Sequence, residues 1–321
     1  MSSHGKPSPR IAIIGVGQVG TAAAYAIILN SLASELLLVD IKTNLRNGQV
    51  NDLSDASYSC NSKTHVRAAT HQEARDSDIV RNHNGEGRKL NHMGSNDDLG
   101  ETSVQHIYQK VSIIRSIINA MRPFRSDTIL LIVANPVDLL TSLAHEISGL
   151  PACQVLGSGT FLDSVRIRHL LAEATGVAAN SIDLFVLGVH GDSQVVAWSD
   201  ATIAGVPINK SLPLSTLDYD GLSNECKSRS RTIIQEKGSK PLGIGSVLSS
   251  ICSSILSDKR NVRPISHFQP EWGCCFSLPV VLGRTGVIKN IHIPLNDDER
   301  AALDESVKDL RTSLERINED Q

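Results

Sequence analysis

The stretch IAIIGVGQVG at residues 11–20 constrains this chain more than any other. Ile11, Ala12, Ile13 and Ile14 make a short buried-strand pattern, and Gly15, Gly17 and Gly20 follow at the G-x-G-x-x-G spacing. In such a turn the first glycine permits the tight bend, the second admits a pyrophosphate against the backbone, and the third lets the next helix pack on the strand. Residues 21–32 are rich in Ala, Ile and Leu and hold no Pro or Gly, so they predict that helix, with its N–H groups and dipole facing the phosphates. A second strand over 35–39 ends at Asp40, twenty residues beyond Gly20. A carboxylate there accepts hydrogen bonds from ribose hydroxyls and repels a 2′-phosphate, so the pattern predicts NAD rather than NADP. Gln18 and Val19, inside the turn, join the expected cofactor contacts.

Strand-like and helix-like patterns alternate from residue 11 to about 149, which predicts a Rossmann-type α/β fold with a doubly wound parallel sheet. Val104, Ile107, Val111, Ile114, Ile118 and Met121 place an apolar stripe on one helix face, and Pro123 stops that helix. Residues 128–133 read as a buried strand whose carboxyl end delivers Ala134-Asn135-Pro136-Val137-Asp138. Open α/β sheets bind ligands at such ends, so Asn135 either contacts one or only makes an Asn-Pro turn.

After residue 150 the pattern is mixed. Helices are expected over 161–173, 222–237 and 246–256, with a break near 238–245, and a terminal helix over 297–317. Strand-like pieces fall at 183–188, 263–267, 275–282 and 288–293. The expected organisation is a tail at 1–10, an NAD-binding domain at 11–149 and an α+β catalytic domain at 150–321. The net charge of −3 offers no basic field for nucleic acid. The polar N-terminus and the lack of any run near the ~20 apolar residues of a membrane span predict a cytoplasmic protein with no membrane partner. Six cysteines without C-x-x-C or metal-type spacing imply reduced thiols and no metal.

Reactive side chains concentrate in GSGTFLDSVR at 157–166 and LGVHGDS at 187–193. Asp163 and Arg166 are three apart and share a helix face, as a surface ion pair or as an orienting carboxylate beside an anion binder. His190, among glycines at a strand end, suits an imidazole that meets a substrate, though a polar loop histidine has the same pattern.

Together with GVGQVG, LLLVD, NDLSDA, GET at 100–102, ANPVD and RNVRPIS at 260–266, these motifs make the chain resemble, over almost its whole length, the L-lactate dehydrogenases of the lactate/malate dehydrogenase family. The resemblance implies hydride transfer between NADH and pyruvate, giving L-lactate and NAD, with a 2-oxo or 2-hydroxy acid as partner in a fermentative homotetramer. It implies that His190 is the acid/base, Asp163 its orienting partner, and Arg166 a bidentate clamp on the substrate carboxylate. Asn135 would contact substrate and the nicotinamide end of the cofactor, while Gly15, Gly17, Gly20 and Asp40 hold pyrophosphate and ribose.

One segment departs from the family. Residues 81–99, RNHNGEGRKLNHMGSNDDL, are polar and Gly-rich where the family has an apolar strand, a T-A-G turn and the lid residue that separates lactate from malate. Ser103 stands where the family has the lid arginine, a loss that typically costs about 10²–10³ in rate. Lys110 and Lys240 replace an asparagine and a small pocket threonine. Three readings follow: an alternative lid with Arg81, Arg88 or Lys89 as substitute electrophile; an impaired NAD-binding homologue; or a gene-model error that deletes a core strand with the lid. Malate or another 2-hydroxy acid is the alternative substrate.

Overall fold

Strands that are apolar on both faces need cover on both sides, and RIAII, ELLLV and ILLI are of this kind. A computed structural model of the chain describes residues 8–82, 99–211 and 217–320, with backbone alone at 82 and 99–104. The first half runs β1 (Arg10–Ile14), α1 (Gln18–Leu29), β2 (Glu35–Val39), α2 (Thr43–Ser59), β3 (His65–Ala68), α3 (His71–Ala74), β4 (Ile79–Asn82), α4 (Leu99–Met121), β5 (Ile129–Ile132) and α5 (Val137–Ser148). It continues through β6 (Val155–Gly157), α6 (Phe161–Thr175), β7 (Ile182–Asp183), β8 (Val186–Leu187), β9 (Val195–Val196), β10 (Thr202–Ile203), β11 (Val206–Pro207) and α7 (Ile208–Ser211). The last elements are α8 (Tyr219–Lys237), α9 (Pro241–Leu256), β12 (Asn261–Gln269), β13 (Cys274–Gly283), β14 (Gly286–Asn290) and α10 (Asp297–Glu319).

Among the described residues the main sheet has nine strands in the order β14-β13-β12-β6-β5-β4-β1-β2-β3. The six strands from β3 to β6 are parallel, in the doubly wound order that reverses between β1 and β4. Strand β6, beyond residue 150, belongs to this parallel set, and β12 then pairs with it antiparallel at Ser266 and Gly157. Side chains alternate along each strand. Ala12, Ile14, Val80, Leu130 and Ile132 face α4, α5 and α10, whereas Ile11, Ile13, Ile79 and Leu131 face α1 and α9. The carboxyl ends of β1, β2 and β5 therefore open on one edge of the sheet.

Three expectations need correction. The helix expected to begin at 246 starts at Pro241, and the break reduces to the end of α8 at Gly238, where φ is +81°. Gly245 lies inside α9 because a Cβ there would sit 2.8 Å from the backbone of Ala22, so α1 and α9 touch main chain to main chain. The strand expected over 183–188 is two short strands, β7 and β8, in separate small sheets. Most consequentially, the central strand is kept: β4 runs to Asn82 and pairs with Ile13 and Ile14 of β1 and with Leu131 and Ile132 of β5.

Keeping that strand buries an arginine. Arg81 follows Ile79 to the α1/α9 side, is fully buried, and has none of its three guanidinium nitrogens hydrogen-bonded among the described residues. Burial pushes its pKa down to about 9, still charged at neutral pH. Its electrostatic neighbour, Cys252 of α9, is a thiol pushed up to about 12 by burial and supplies no counter-charge. Arg81 is thus a core residue, which removes it as a swinging electrophile; Arg88 and Lys89 lie outside the described residues. A buried unpaired charge is among the most unfavourable groups a core can hold. Arg81→Met, which keeps the volume and removes the charge, is expected to raise the unfolding free energy by about 2–4 kcal/mol in urea titrations. A lower denaturation midpoint would show that the guanidinium is compensated.

Candidate active site

The glycine turn has the geometry its spacing requires. Gly15 turns with φ +87° and its N–H donates to Val39 O at 2.8 Å, tying the end of β1 to β2. A Cβ at Gly20 would lie 2.1 Å from Gly15 O, so only glycine lets α1 pack there. Gly17 is the N-cap of α1, and a Cβ on it would meet nothing within 4 Å. The turn is therefore open on the side where α1 presents its unpaired N–H groups, with Gln18 exposed and Val19 half-buried in the first helical turn. Asp40 directly follows β2; its Oδ2 accepts from the Val16 N–H at 2.9 Å and its Oδ1 from the Lys42 N–H at 2.8 Å. It braces the turn and keeps carboxylate lone pairs for a further donor. An open cradle, a helix N-terminus and an acid beside it fit a dinucleotide.

The reactive side chains come from three elements. Asn135 is exposed just past the end of β5. Asp163 and Arg166 lie on one face of α6, and both are buried. His190 follows β8 by three residues, on a segment fixed by Gly188, whose N–H and C=O both pair with Ser277. His190 Nδ1–H donates to Asp163 Oδ2 at 2.7 Å, leaving Nε2 for another partner. Arg166 Nη1 donates to Asp163 Oδ1 at 3.2 Å and to Ser230 Oγ of α8 at 2.6 Å. Among the described residues its other N–H groups have no partner, so they are left for a carboxylate. Val133, Asn135, Ser158, Gly159, His190 and Lys240 line one cavity, which joins the end of β5 to the histidine.

Electrostatics sharpen this arrangement. Burial disfavours the His190 cation, but the Asp163 carboxylate and its hydrogen bond outweigh burial and raise the imidazole pKa above its ordinary value. Burial likewise acts to raise Asp163, yet His190 and Arg166 hold it below the usual carboxylate range. The pair is poised as imidazolium and carboxylate, an acid held in one orientation.

Two residues of the site carry no assigned role in the sequence reading. Asp138, in the first turn of α5 and 1% exposed, accepts the His190 backbone N–H with Oδ2 at 2.7 Å. Burial raises its pKa to about 6. In sequence it looks like an ordinary acid complementing a helix dipole. Ser230, which anchors Arg166, is sixty-four residues away in the chain and has no local signal. The side chain of Ser103 lies outside the described residues, while Lys240 does reach the cavity.

The model of the lactate/malate dehydrogenase NAD-binding domain matches residues 9–157, and that of the lactate/malate dehydrogenase alpha/beta C-terminal domain matches residues 160–321. The chain is 36% identical to L-lactate dehydrogenase A of Rhizopus oryzae, covering 94% of this chain and 91% of that one. It is 34% identical to an L-lactate dehydrogenase of Deinococcus radiodurans, covering 94% and 97%. The crystal structure of the minor L-lactate dehydrogenase from Enterococcus mundtii, in its ligand-bound form, superposes with a TM-score of 0.87 at 30% identity, covering 97% of this chain and 99% of that one.

The dyad predicts a measurable titration. By NMR, the His190 ring is expected to titrate above an ordinary histidine, and Asp163→Asn to bring it below, because burial then acts without its opposing charge. Asp138→Asn is expected to lower it less. An unshifted His190 in the Asp163→Asn protein would mean that the 2.7 Å contact does not set its charge.

Proposed function

Because the chain belongs to the lactate/malate dehydrogenase family, we propose that it works as an NAD-dependent L-lactate dehydrogenase, interconverting pyruvate and L-lactate through His190. The observation that carries this reading is the 2.7 Å His190–Asp163 pair, with Nε2 unpartnered among the described residues and the ring on the cavity that Asn135 also lines. Residues 11–149 form the cofactor half, where Gly15, Gly17, Gln18, Val19, Gly20 and Asp40 hold pyrophosphate and ribose. Residues 150–321 form the substrate half. NADH, when bound, supplies the hydride for the ketone carbon.

His190 gives the Nε2 proton to the ketone oxygen as charge develops there, and takes it back in the oxidation of lactate. Asp163 holds the ring and offsets its charge. The free edge of Arg166 takes the substrate carboxylate, in a planar two-point contact that a lysine could not make. Asn135 orients the carbonyl end of the substrate against the nicotinamide. Ser103 stands where the family has the lid arginine, so that position supplies no cation to the ketone oxygen. Family membership also supports a cytoplasmic homotetramer with a fermentative role.

NADH oxidation with pyruvate tests the reading. Activity should fall as pH rises through the elevated His190 value, since reduction requires the imidazolium, and lactate oxidation should rise over the same interval. His190→Gln is expected to abolish turnover while NADH fluorescence still reports binding. Asp163→Asn is expected to lose about 10³–10⁴ in kcat and to move the falling limb to lower pH. NADH binding without turnover of any 2-oxo acid would make the chain a binding protein instead.

A further inference from the structure

Helix α8 is polar along most of its length and meets the site through one narrow face. Cys226 is its buried residue, packed with Ile167 and Leu171 of α6, and the thiol donates to the Asp163 backbone carbonyl at 3.4 Å. Ser230 lies one turn further along the same face, and its Oγ accepts Arg166 Nη1 at 2.6 Å. Hydroxyls inside helices often return to a carbonyl of the preceding turn. In α8, Ser223, Ser228 and Thr232 do so, donating to the carbonyls of Tyr219, Glu225 and Ser228. Ser230 instead turns its oxygen to a cation on another helix.

That contact gives the guanidinium a direction. Nη1 carries two hydrogens, and its two acceptors are Asp163 Oδ1 at 3.2 Å and Ser230 Oγ. A planar two-point contact with a carboxylate needs two parallel N–H groups, and with Nη1 committed the intact pair is Nε and Nη2. Asp163 shares α6 with Arg166, three residues away, and makes the longer of the two contacts. It restrains the arginine from its own helix alone. Lys240 and Arg166 meanwhile act on each other as like charges. A long side chain beside a repelling neighbour keeps one pose when it is tethered from a second direction, and α8 supplies that direction.

We propose that Ser230 is a positioning residue: by holding Nη1 of Arg166 from α8, it aims the Nε/Nη2 edge at the substrate carboxylate and sets affinity for the 2-oxo acid. The inference rests on the proposed dehydrogenase reaction. Proton transfer lies outside this tether, because His190 is held by the other oxygen of Asp163. Ser230 therefore acts on binding and leaves the acid/base pair as it is.

The test is steady-state kinetics with pyruvate and NADH for the unmodified protein, Ser230→Ala, Ser230→Thr and Ser223→Ala, with oxamate binding to each NADH complex measured in parallel. Ser230→Ala is expected to raise KM and the oxamate Kd by about tenfold, while kcat, NADH affinity and the falling limb of the pH profile stay within about twofold. Ser230→Thr keeps the hydroxyl and should bring KM back to within about threefold of the unmodified protein. Ser223→Ala removes the 2.9 Å contact from Trp198 Nε1 that anchors α8 elsewhere, and should leave KM in place. It separates aiming the arginine from holding the helix. If the unmodified protein turns over no 2-oxo acid but binds oxamate in a Ser230-dependent way, the dehydrogenase reading fails and the positioning role stands. No oxamate binding by the unmodified protein overturns both. An unchanged KM in Ser230→Ala, or an equal loss in Ser223→Ala, overturns the positioning role, as does a fall in kcat with a shifted pH limb, which would tie Ser230 to the His190 pair.

Discussion

Asp163 is the group on which the site depends. It is a carboxylate, 2% exposed, on the first turn of α6, and it is stable as an anion only because two cations reach it. Its Oδ2 fixes the histidine and its Oδ1 fixes the arginine, so one side chain sets the spacing between the acid/base and the anion clamp. The linkage signs follow from the shifts. The Asp163 contribution to stability is present above the ordinary aspartate pKa and is lost as pH falls through its lowered folded value. The His190 contribution is present below the ordinary histidine pKa and is lost as pH rises through its raised folded value. Both are complete only between those two ordinary values, about pH 4 to 6.5. Asp138 runs the other way, since its pKa is raised to about 6 and ionising it in the core lowers stability. It persists because it holds the His190 backbone in place.

The scaffold that delivers these groups tolerates a large local conflict. Strand β4 lies between β1 and β5, and both neighbours need its backbone to complete their ladders. Losing it would orphan main-chain groups on two buried strands, each a penalty of about 1–3 kcal/mol. Inserting a guanidinium that has no hydrogen-bond partner among the described residues into the α1/α9 layer is the lesser cost, and the ladder holds through Arg81 and Asn82. The sheet is specified by backbone hydrogen bonding to its neighbours even where its own side chains argue against it.

This is also where the sequence was least legible. The dinucleotide turn, the apolar stripe of α4, the Asp163/Arg166 spacing and the glycine-flanked His190 are local patterns, and each appears in the structure near its expected place. Arg81, by contrast, reads as the start of a polar loop because side-chain pattern carries no information about strand pairing sixty-eight residues away, where Ile13 waits. Gly245 reads as a helix breaker because nothing local reveals the backbone of Ala22 against it. Asp138 and Ser230 escaped for the same reason: each acts through a partner distant in the chain.

Ser103 and Lys240 are best understood together. Residue 103, at which the resemblance implies an arginine, is a serine within helix α4, and this chain has a cation, Lys240, at the N-cap of α9. A charge on a lid reaches the substrate only after closure and spends part of its interaction on ordering the segment. A charge at the start of α9 rises from a helix whose axis is locked by main-chain contact with α1, and α1 itself begins at the cofactor turn. The field in the cavity is therefore present before substrate arrives, acts on an anion during its approach, and requires no reorganisation to do so.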